Sequence, residues 1–272
     1  MDADALPLLL EPEQLEAHLG DDELLLVDLC RPETYLKFHI PGAVHLDYAD
    51  LVQAHKPIMG LLPSAQQLGR VLGAIGLTPE LQVVAYDDEG GGRAARLLWT
   101  LDVLGHRRLS LLNGGLHAWA NEAHELENHP VKADPADYAA HIAERGVADK
   151  SYVLAHLDDP DVLLLDARTP EEFAGAKRLA ARGGHIPGAV NLDWLQTMDR
   201  RRNLRLLPAD VLRSMLQRLG ATPDKEIVTY CQSHHRSSHS YVMLKWLEFT
   251  KMKGYPGAWS EWGNDPSLPV EM

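Results

Sequence analysis

The stretch HIPGAVHLD at residues 39–47 returns almost unchanged as HIPGAVNLD at residues 185–193. A shorter motif precedes it in both places, LLVD at residues 25–28 and LLLD at residues 163–166. The offset between the copies is 138 residues for the shorter motif and 146 residues for the longer one, so the second copy holds eight extra residues between them. Motifs that recur in one order at such long offsets indicate a duplicated domain, because a solenoid or propeller would repeat more often and at shorter intervals.

Each copy alternates short apolar runs with stretches of helical pattern. The apolar runs are bounded by charges, which is typical of buried strands in a parallel sheet. They lie at residues 24–29, 83–86, 162–166 and 227–230. Ser64 predicts the start of a helix that ends at Gly73 or Gly76, and residues 208–219 predict its counterpart in the second copy. The sequence therefore predicts an α/β fold of two tandem domains, each with a mostly parallel central sheet flanked by helices on both faces.

The predicted domain boundaries follow from the repeat. Residues 1–125 hold the first copy and residues 151–272 hold the second copy. The stretch between them, residues 126–150, contains Pro130 and Pro135 and has no counterpart within either copy. We therefore interpret residues 126–150 as a linker.

Composition and charge exclude several classes of function. The chain has 272 residues, 45% of them hydrophobic, and a net charge of −13 from 26 basic and 39 acidic residues. Such a charge repels phosphate backbones and anionic lipid headgroups, so neither nucleic acid nor a membrane is an expected partner. The chain starts with an acidic stretch instead of the basic and apolar segments of a signal peptide, which predicts a cytoplasmic protein.

Only two cysteines occur, Cys30 and Cys231, so a disulfide framework is not expected. Neither cysteine has the paired spacing of a structural zinc site. Cys30 stands in the first copy where Arg168 stands in the second, with no histidine near it in the sequence. We expect Cys30 to be an inert, packed side chain.

Cys231 opens the turn that follows a predicted strand and precedes a predicted helix, in the sequence CQSHHR at residues 231–236. A cysteine in that place meets inward-facing backbone N–H groups, which favour its thiolate. Arg236 and the imidazoles of His234 and His235 add donors and positive charge in the same turn. The turn therefore predicts a nucleophile inside an anion cradle.

The first copy differs at the same turn, where it has DDEGGGR at residues 87–93. Asp87 occupies the cysteine position, and a carboxylate cannot carry a sulfur atom. Three successive acids also repel an anion, so the glycines predict a loop with unusual backbone angles rather than a phosphate site. The first copy is therefore predicted to be catalytically inactive.

Together these features resemble the rhodanese family, and within it the tandem-domain bacterial thiosulfate sulfurtransferases. The resemblance covers nearly the whole chain, including both HIPGA segments, the cysteine turn and the GAW motif at residues 257–259. It implies an inactive first domain and a catalytic second domain with Cys231 as the nucleophile. The implied persulfide and substrate loop comprises Gln232, Ser233, His234, His235 and Arg236.

The resemblance also implies a reaction. The Cys231 thiolate would attack the outer sulfur of thiosulfate, sulfite would leave, and the N–H groups of residues 232–236 would stabilise the persulfide. Cyanide or a thiol, including the dithiol of a thioredoxin-like protein, would then take the sulfur. The reaction needs no cofactor and no metal, and we expect a monomer because the two copies are already covalently joined.

Charged side chains are expected to hold and orient the loop. Arg236 is expected to hold the loop and to bind the sulfonate oxygens, for which a guanidinium fork suits better than an ammonium. Asp166 and Arg168 are expected to pair in the interior and to orient the loop. Which of His234 and His235 faces the pocket stays open from the sequence.

Two more positions, Trp194 and Glu172, bear on the pocket. Trp194 follows the long motif of the second copy and belongs either to interface packing or to the active-site wall. Glu172 stands where related mercaptopyruvate sulfurtransferases have an arginine that holds the keto acid. That position and the loop sequence both favour thiosulfate over mercaptopyruvate.

Two further groups of side chains, the motif histidines and an arginine cluster, lie outside the predicted site. His39 and His185, in the two HIPG turns, are expected to stabilise those turns. The cluster of Arg200, Arg201, Arg202 and Arg205, absent from the first copy, is either a solvated loop or a device that steers dianions.

Three alternatives stay open. The first is a 3-mercaptopyruvate sulfurtransferase. The second is a phosphatase of related fold, whose loop is one residue longer than the one in which Arg236 comes fifth after Cys231. The third is a metal-binding module that uses Cys231, His235 and His239, although a second cysteine or a nearby carboxylate is missing from that set.

Overall fold

A computed structural model of the protein describes residues 6–143 and 145–272. The strands are β1 Leu9–Leu10, β2 Leu24–Asp28, β3 Val44–His45, β4 Gln53–His55, β5 Ile58–Leu61, β6 Gln82–Tyr86, β7 Leu109–Leu112, β8 Val162–Asp166, β9 Val190–Asn191, β10 Met198–Asp199, β11 Arg205–Leu206, β12 Glu226–Tyr230 and β13 Met252–Gly254. The α-helices are α1 Pro12–Glu16, α2 Pro32–Lys37, α3 Ala65–Ala74, α4 Gly92–Val103, α5 Gly115–Asn121, α6 Lys150–Ala155, α7 Pro170–Phe173, α8 Ala209–Arg218, α9 Arg236–Trp246 and α10 Ala258–Trp262. Short 3-10 helices cover Tyr48–Leu51, Trp194–Thr197 and Arg200–Arg202.

The chain divides into two compact units. Unit 1 comprises the chain up to Leu51 together with Pro63–Ala143 and Asp199–Leu206. Unit 2 comprises Val52–Leu62, the chain from Glu144 to Met198, and Leu207–Met272. These units group residues by their packing, whereas the predicted boundaries follow the sequence repeat. We therefore keep as a proposal the two duplicated domains, residues 1–125 and 151–272, and the linker, residues 126–150.

Each unit contains a parallel sheet. The strand order is β1-β7-β6-β2-β3 in unit 1 and β13-β12-β8-β9 in unit 2, with every neighbouring pair parallel. The predicted strands and the helix capped by Ser64 are present, and α3 ends at Ala74. The predicted α/β fold of two tandem domains is therefore confirmed.

The long repeated motif has the same structural role in both units. Tyr86 on β6 lies opposite Asp28, and Tyr230 on β12 lies opposite Asp166. Each tyrosine hydroxyl accepts a hydrogen bond from the isoleucine N–H of its motif, at 3.1 Å in unit 1 and 3.3 Å in unit 2. The motif is therefore attached to the strand that leads into the functional turn.

Segments that the sequence left unassigned also adopt defined structure. The antiparallel hairpin of β4 and β5 lies in unit 2. Within unit 1, part of the proposed linker lies along α3, where the Ala136 N–H donates to the Gly73 carbonyl at 2.9 Å. A methyl group at Gly69 would lie 2.7 Å from the Tyr138 carbonyl oxygen, so glycine is what lets this segment approach the helix.

None of the helices within residues 6–143 and 145–272 combines the length and the apolar character that a bilayer crossing requires.

Candidate active site

Cys231 lies directly after β12, in a turn that ends where α9 begins at Arg236. The first two peptides of this turn are held by the start of α10. The Trp259 N–H donates to the Cys231 carbonyl and the Ser260 N–H donates to the Gln232 carbonyl, both at 2.9 Å. Cys231 itself is 1% exposed. The nucleophile predicted from the sequence is therefore a buried thiol in a fixed turn.

The middle of the turn is held by the first turn of α9. His234 has a φ of +53°, a left-handed conformation that is uncommon for a residue with a side chain. Its Nδ1 lies 2.8 Å from the Ser237 hydroxyl, and the Ser238 hydroxyl donates to its carbonyl at 2.6 Å. These contacts hold the unusual conformation in place. His234 is fully buried, whereas His235 is half-buried.

The surroundings of Cys231 favour its thiolate. Burial raises the pKa of this thiol, but the charge of Arg236 and hydrogen bonds from the Ser237 hydroxyl and from the N–H groups of Ser233 and Ser237 outweigh it. The net pKa lies below the ordinary cysteine value of 9.0. The predicted anion cradle is thus present around the sulfur, and α9 contributes to it as well as the turn.

Arg236 and Glu172 form a bidentate ion pair. Arg236 Nη1 lies 2.6 Å from Glu172 Oε2, and Nη2 lies 2.9 Å from Oε1. Glu172 is 2% exposed and also closes a capping box with Thr169 at the start of α7. Burial raises the pKa of Glu172, but the hydrogen bonds and the charge of Arg236 outweigh this effect. The net pKa of Glu172 therefore lies below its ordinary value. The guanidinium of Arg236, which is expected to bind the sulfonate, is therefore already bonded to the carboxylate of Glu172.

Asp166 and Arg168 form the expected interior pair. Arg168 Nη2 donates to Asp166 Oδ2 at 2.6 Å, and both side chains are at most 1% exposed. The Arg168 guanidinium lies 4.5 Å from the centre of the Trp259 ring. Because the Trp259 N–H holds the Cys231 carbonyl, the pair supports the turn through Trp259.

Trp194 packs beside the turn and against α9. Its ring lies 5.9 Å from that of His235 and 5.6 Å from that of His239, measured between centres. Burial, followed by the charge of His235, lowers the pKa of His239 to about 4. Trp194 and His239 thus form a buried support for His235, and Trp194 is 8% exposed.

The alternative metal site is not supported by the geometry. Among the residues that the structure describes, Cys231, His235 and His239 do not bring their ligand atoms within 4.8 Å of one another. The cluster that does meet this distance is in unit 1, at Glu13, Glu122 and His124. Glu122 there is engaged by Arg205, with Arg205 Nη2 donating to its Oε2 at 2.8 Å.

The turn of the first copy is also a cradle, and Asp87 fills it. The Asp87 carboxylate accepts N–H bonds from four residues at 2.8–3.0 Å. The donors are Glu89, Gly91, Arg93 and Ala94. Gly90 and Gly91 have φ values of +101° and +95°, so the predicted unusual backbone is confirmed. The carboxylate thus occupies the place where the second copy has its sulfur.

Cys30 has surroundings opposite to those of Cys231. It is 2% exposed, and its N–H donates to Asp28 Oδ1 at 2.7 Å. Burial raises the pKa of its thiol, and the charges of Asp28, Asp87 and Asp88 raise it further. Cys30 is therefore packed, as expected, and its raised pKa disfavours the reactive thiolate.

The two motif histidines stabilise turns, as expected. His39 Nδ1 lies 2.7 Å from the Tyr35 carbonyl, and His185 Nδ1 lies 2.9 Å from the Phe173 carbonyl. For Arg205 both interpretations were wrong, because it is 6% exposed and paired with Glu11 and Glu122 within unit 1. Buried ion pairing leaves no free charge for steering dianions.

Several supporting residues were missed by the sequence reasoning. Ser237 and Ser238 directly follow the turn, and two hydroxyls in the first turn of a helix were an available signal for donors to the sulfur and the backbone. Ser260 and Gly60 had no such signal, because they reach the turn only through the fold.

Comparisons with known proteins give a family match and full-length relatives. The family model described as "Rhodanese-like domain" matches residues 11–122 and 149–265. A thiosulfate sulfurtransferase of Azotobacter vinelandii is 45% identical over 268 residues, with 98% of each chain covered. A thiosulfate sulfurtransferase of Pseudomonas aeruginosa is 44% identical over 267 residues, again with 98% of each covered.

More distant relatives were also found. A 3-mercaptopyruvate sulfurtransferase of Escherichia coli (strain K12) is 29% identical, with 94% of this chain and 95% of the relative covered. Among solved structures, an anaerobic ergothioneine biosynthesis enzyme from Chlorobium limicola superposes with a TM-score of 0.87 and 21% identity. The match covers 97% of this chain and 70% of that one, and at this identity it speaks for the fold alone.

Proposed function

Because this chain belongs to the rhodanese family and carries two rhodanese-like domains, we propose that it is a thiosulfate sulfurtransferase that works through Cys231. The observation that carries the proposal is the buried Cys231 thiol with a lowered pKa, surrounded by N–H and hydroxyl donors. A lowered pKa increases the share of thiolate, which is the form of cysteine that acts as a nucleophile. The 44–45% identity of full-length thiosulfate sulfurtransferases supports the same reaction.

The reaction proceeds in two displacements. The Cys231 thiolate attacks the outer sulfur of thiosulfate, the sulfur–sulfur bond of thiosulfate breaks, and its electron pair leaves with sulfite. Cyanide or a thiolate acceptor then attacks the outer sulfur of the persulfide, and the Cys231 thiolate is released. The donors around Cys231 stabilise negative charge at the start and at the end of each cycle.

The sulfonate end of thiosulfate meets positive charge that Glu172 partly neutralises. Arg236 keeps N–H groups beyond the two bonded to Glu172, since a guanidinium has five donors. We assign to Arg236 the roles of closing the loop and contacting the sulfonate, and to Gln232, Ser233, His234 and His235 the rest of the persulfide loop. Asp166, Arg168 and Trp194 support this loop from behind.

Glu172 also favours thiosulfate over 3-mercaptopyruvate. It stands where related mercaptopyruvate sulfurtransferases have an arginine that holds the keto acid, so a keto-acid carboxylate would lose that cationic partner here. The lower identity of 3-mercaptopyruvate sulfurtransferases, 29% for the Escherichia coli enzyme, agrees with this preference.

Setting and partners are part of the same proposal. We place the protein in the cytoplasm, because its two cysteines are both free thiols, as is typical of a reducing compartment. We propose thiols, including the dithiols of thioredoxin-like proteins, as acceptors besides cyanide. We propose a monomer as the working form, since both domains are already on one chain.

A mass measurement tests the proposed function. Incubation with thiosulfate should add one sulfur atom to the intact protein, and cyanide should remove it as thiocyanate. Cys231→Ser should abolish both steps, and the matched variant Cys30→Ser should load and release sulfur like the wild type. Sulfur transfer by the Cys231→Ser protein would contradict the proposal.

A further inference from the structure

The β4–β5 hairpin touches the active-site turn at Gly60. A methyl group built at Gly60 would lie 2.8 Å from the Cα of Ser233, 2.5 Å from its carbonyl carbon and closer still to its carbonyl oxygen. Real side chains do not tolerate such separations, so this approach requires glycine. The φ of Gly60 is not positive, so the requirement comes from space and not from backbone conformation.

A second contact fixes the hairpin at the same place. The Met59 N–H donates to the Ser260 hydroxyl oxygen at 3.2 Å. The N–H of Ser260 donates in turn to the Gln232 carbonyl at 2.9 Å. The peptide group between Gln232 and Ser233 is therefore held by Ser260 on one side, and the Ser233 carbonyl is covered by Gly60 on the other.

The orientation of Ser233 matters for the sulfur. The N–H of Ser233 belongs to the peptide group that Ser260 holds, and it is one of the donors to Cys231. A side chain at residue 60 would press on the Ser233 Cα as well as on its carbonyl, and because that Cα is bonded to the donating nitrogen, its displacement would move the N–H away from the sulfur. The absence of a side chain at Gly60 thus leaves Ser233 in the position from which its N–H reaches the sulfur.

We propose that the β4–β5 hairpin is a positioning element of the sulfur site, and that Gly60 positions Ser233 so that its N–H stays directed at Cys231. The proposal rests on the proposed function, because it concerns the sulfur atom that carries the transferred group. The hairpin comes from the first half of the sequence but serves the catalytic turn of unit 2. Gly60 acts through Ser233 and touches no substrate.

The test compares two substitutions that each add bulk to the hairpin, both in a Cys30→Ser background. Gly60→Ala places a methyl group against Ser233, whereas Ala54→Val adds bulk at an exposed position of β4. We expect Gly60→Ala to raise the pKa of the Cys231 thiol by about one unit and to slow sulfur uptake from thiosulfate about tenfold. Ala54→Val should leave both values unchanged.

The readouts are the pH profile of alkylation by iodoacetamide and the rate of mass gain with thiosulfate. The charges of Arg236 and Glu172 are the same in all variants, so a shift in the thiol pKa reports the lost donor. A Gly60→Ala protein that folds like the wild type by circular dichroism, with both values unchanged, overturns the proposal.

Two further outcomes are a Gly60→Ala protein that does not fold and a wild-type protein that takes no sulfur. If Gly60→Ala does not fold, Ser260→Ala takes its place, because it deletes the acceptor of the Met59 N–H without adding bulk. A raised thiol pKa in Ser260→Ala supports the proposal, and an unchanged pKa overturns it. A wild-type protein that takes no sulfur from thiosulfate would refute the proposed function instead, and the alkylation profiles would still test Gly60.

Discussion

Cys231 and Cys30 show how far surroundings decide the chemistry of one residue type. Both thiols are buried, and burial raises the pKa of each. Arg236 and several hydrogen-bond donors reverse that rise at Cys231. At Cys30 the carboxylates of Asp28 and Asp87 add to it. Burial alone therefore does not identify the nucleophile, and the sign of the nearby charge does.

Replacing Ser237 with alanine should raise the pKa of the Cys231 thiol, because a hydroxyl that donates to the sulfur is lost. A hydrogen bond to a charged group is worth about 1.5–3 kcal/mol, or about one to two pKa units. The midpoint of the alkylation profile should move to higher pH, and reactivity at neutral pH should fall because less thiolate is present. Ser214→Ala, at an exposed position of α8, is the matched control and should not move the midpoint.

Glu172→Gln should lower the KM for thiosulfate several-fold. The amide keeps the shape of the carboxylate but removes its charge, so Arg236 no longer shares its charge between Glu172 and the sulfonate. Steady-state kinetics with thiosulfate and cyanide at low ionic strength measure the change. Glu171→Gln removes a charge from the exposed neighbouring position and should leave the KM near the wild-type value. A higher KM in Glu172→Gln would show that the carboxylate serves mainly to hold Arg236 in place.

At the scale of elements, the turn at 231–236 is held by the starts of several helices. The first N–H groups of α10 take the carbonyls of Cys231 and Gln232, and α7 presents Glu172 to Arg236. Helix starts have unpaired N–H groups to offer, which is why they can hold a turn without any side chain. The catalytic turn therefore depends on segments on both sides of it in the sequence.

Asp166→Asn should destabilise the protein by about 3–5 kcal/mol, because it leaves the buried Arg168 charge without its partner. Urea unfolding followed by tryptophan fluorescence measures the loss. Asp28→Asn is the equivalent change in the first copy, where Cys30 replaces the arginine, and its cost should be clearly smaller. Equal losses in the two variants would contradict this reasoning.

Sequence reasoning succeeded where the signal is local. The strands were predicted from apolar runs, the cysteine turn from its own six residues, and the Asp166 pair from two positions on one strand end. The bidentate bond between Glu172 and Arg236 joins positions 64 residues apart, and Met59 reaches Ser260 across 201 residues. No periodicity or motif encodes such contacts, because they arise only when separate elements pack together.

At the scale of the whole molecule, the two copies are the same scaffold with a different anion in the turn. Tyr86 and Tyr230 hold the two HIPG motifs alike, and backbone N–H groups converge on Asp87 as donors converge on Cys231. The difference in function that we propose for the two copies therefore rests on a few side chains in one turn and not on the fold.

Asp87→Cys should not create a second sulfur site. Asp88 and Glu89 stay beside the new thiol, and negative charges raise the pKa of a cysteine, as Asp87 and Asp88 already do for Cys30. Intact mass after incubation with thiosulfate should still show one added sulfur atom. The double variant Asp87→Cys with Cys231→Ser should show none, and a sulfur atom on that double variant would contradict the prediction.

The carboxylate of Asp87 in its four N–H bonds has one more consequence. Peroxide does not oxidise a carboxylate under conditions that oxidise a thiolate, so Asp87 stays unchanged while the Cys231 thiolate can be driven to sulfenic and sulfinic acid. Oxidative damage is therefore confined to one of the two turns. In a sample inactivated by peroxide the Asp87 turn should keep its N–H bonds, which makes that turn an internal reference for how far the damage at Cys231 spreads.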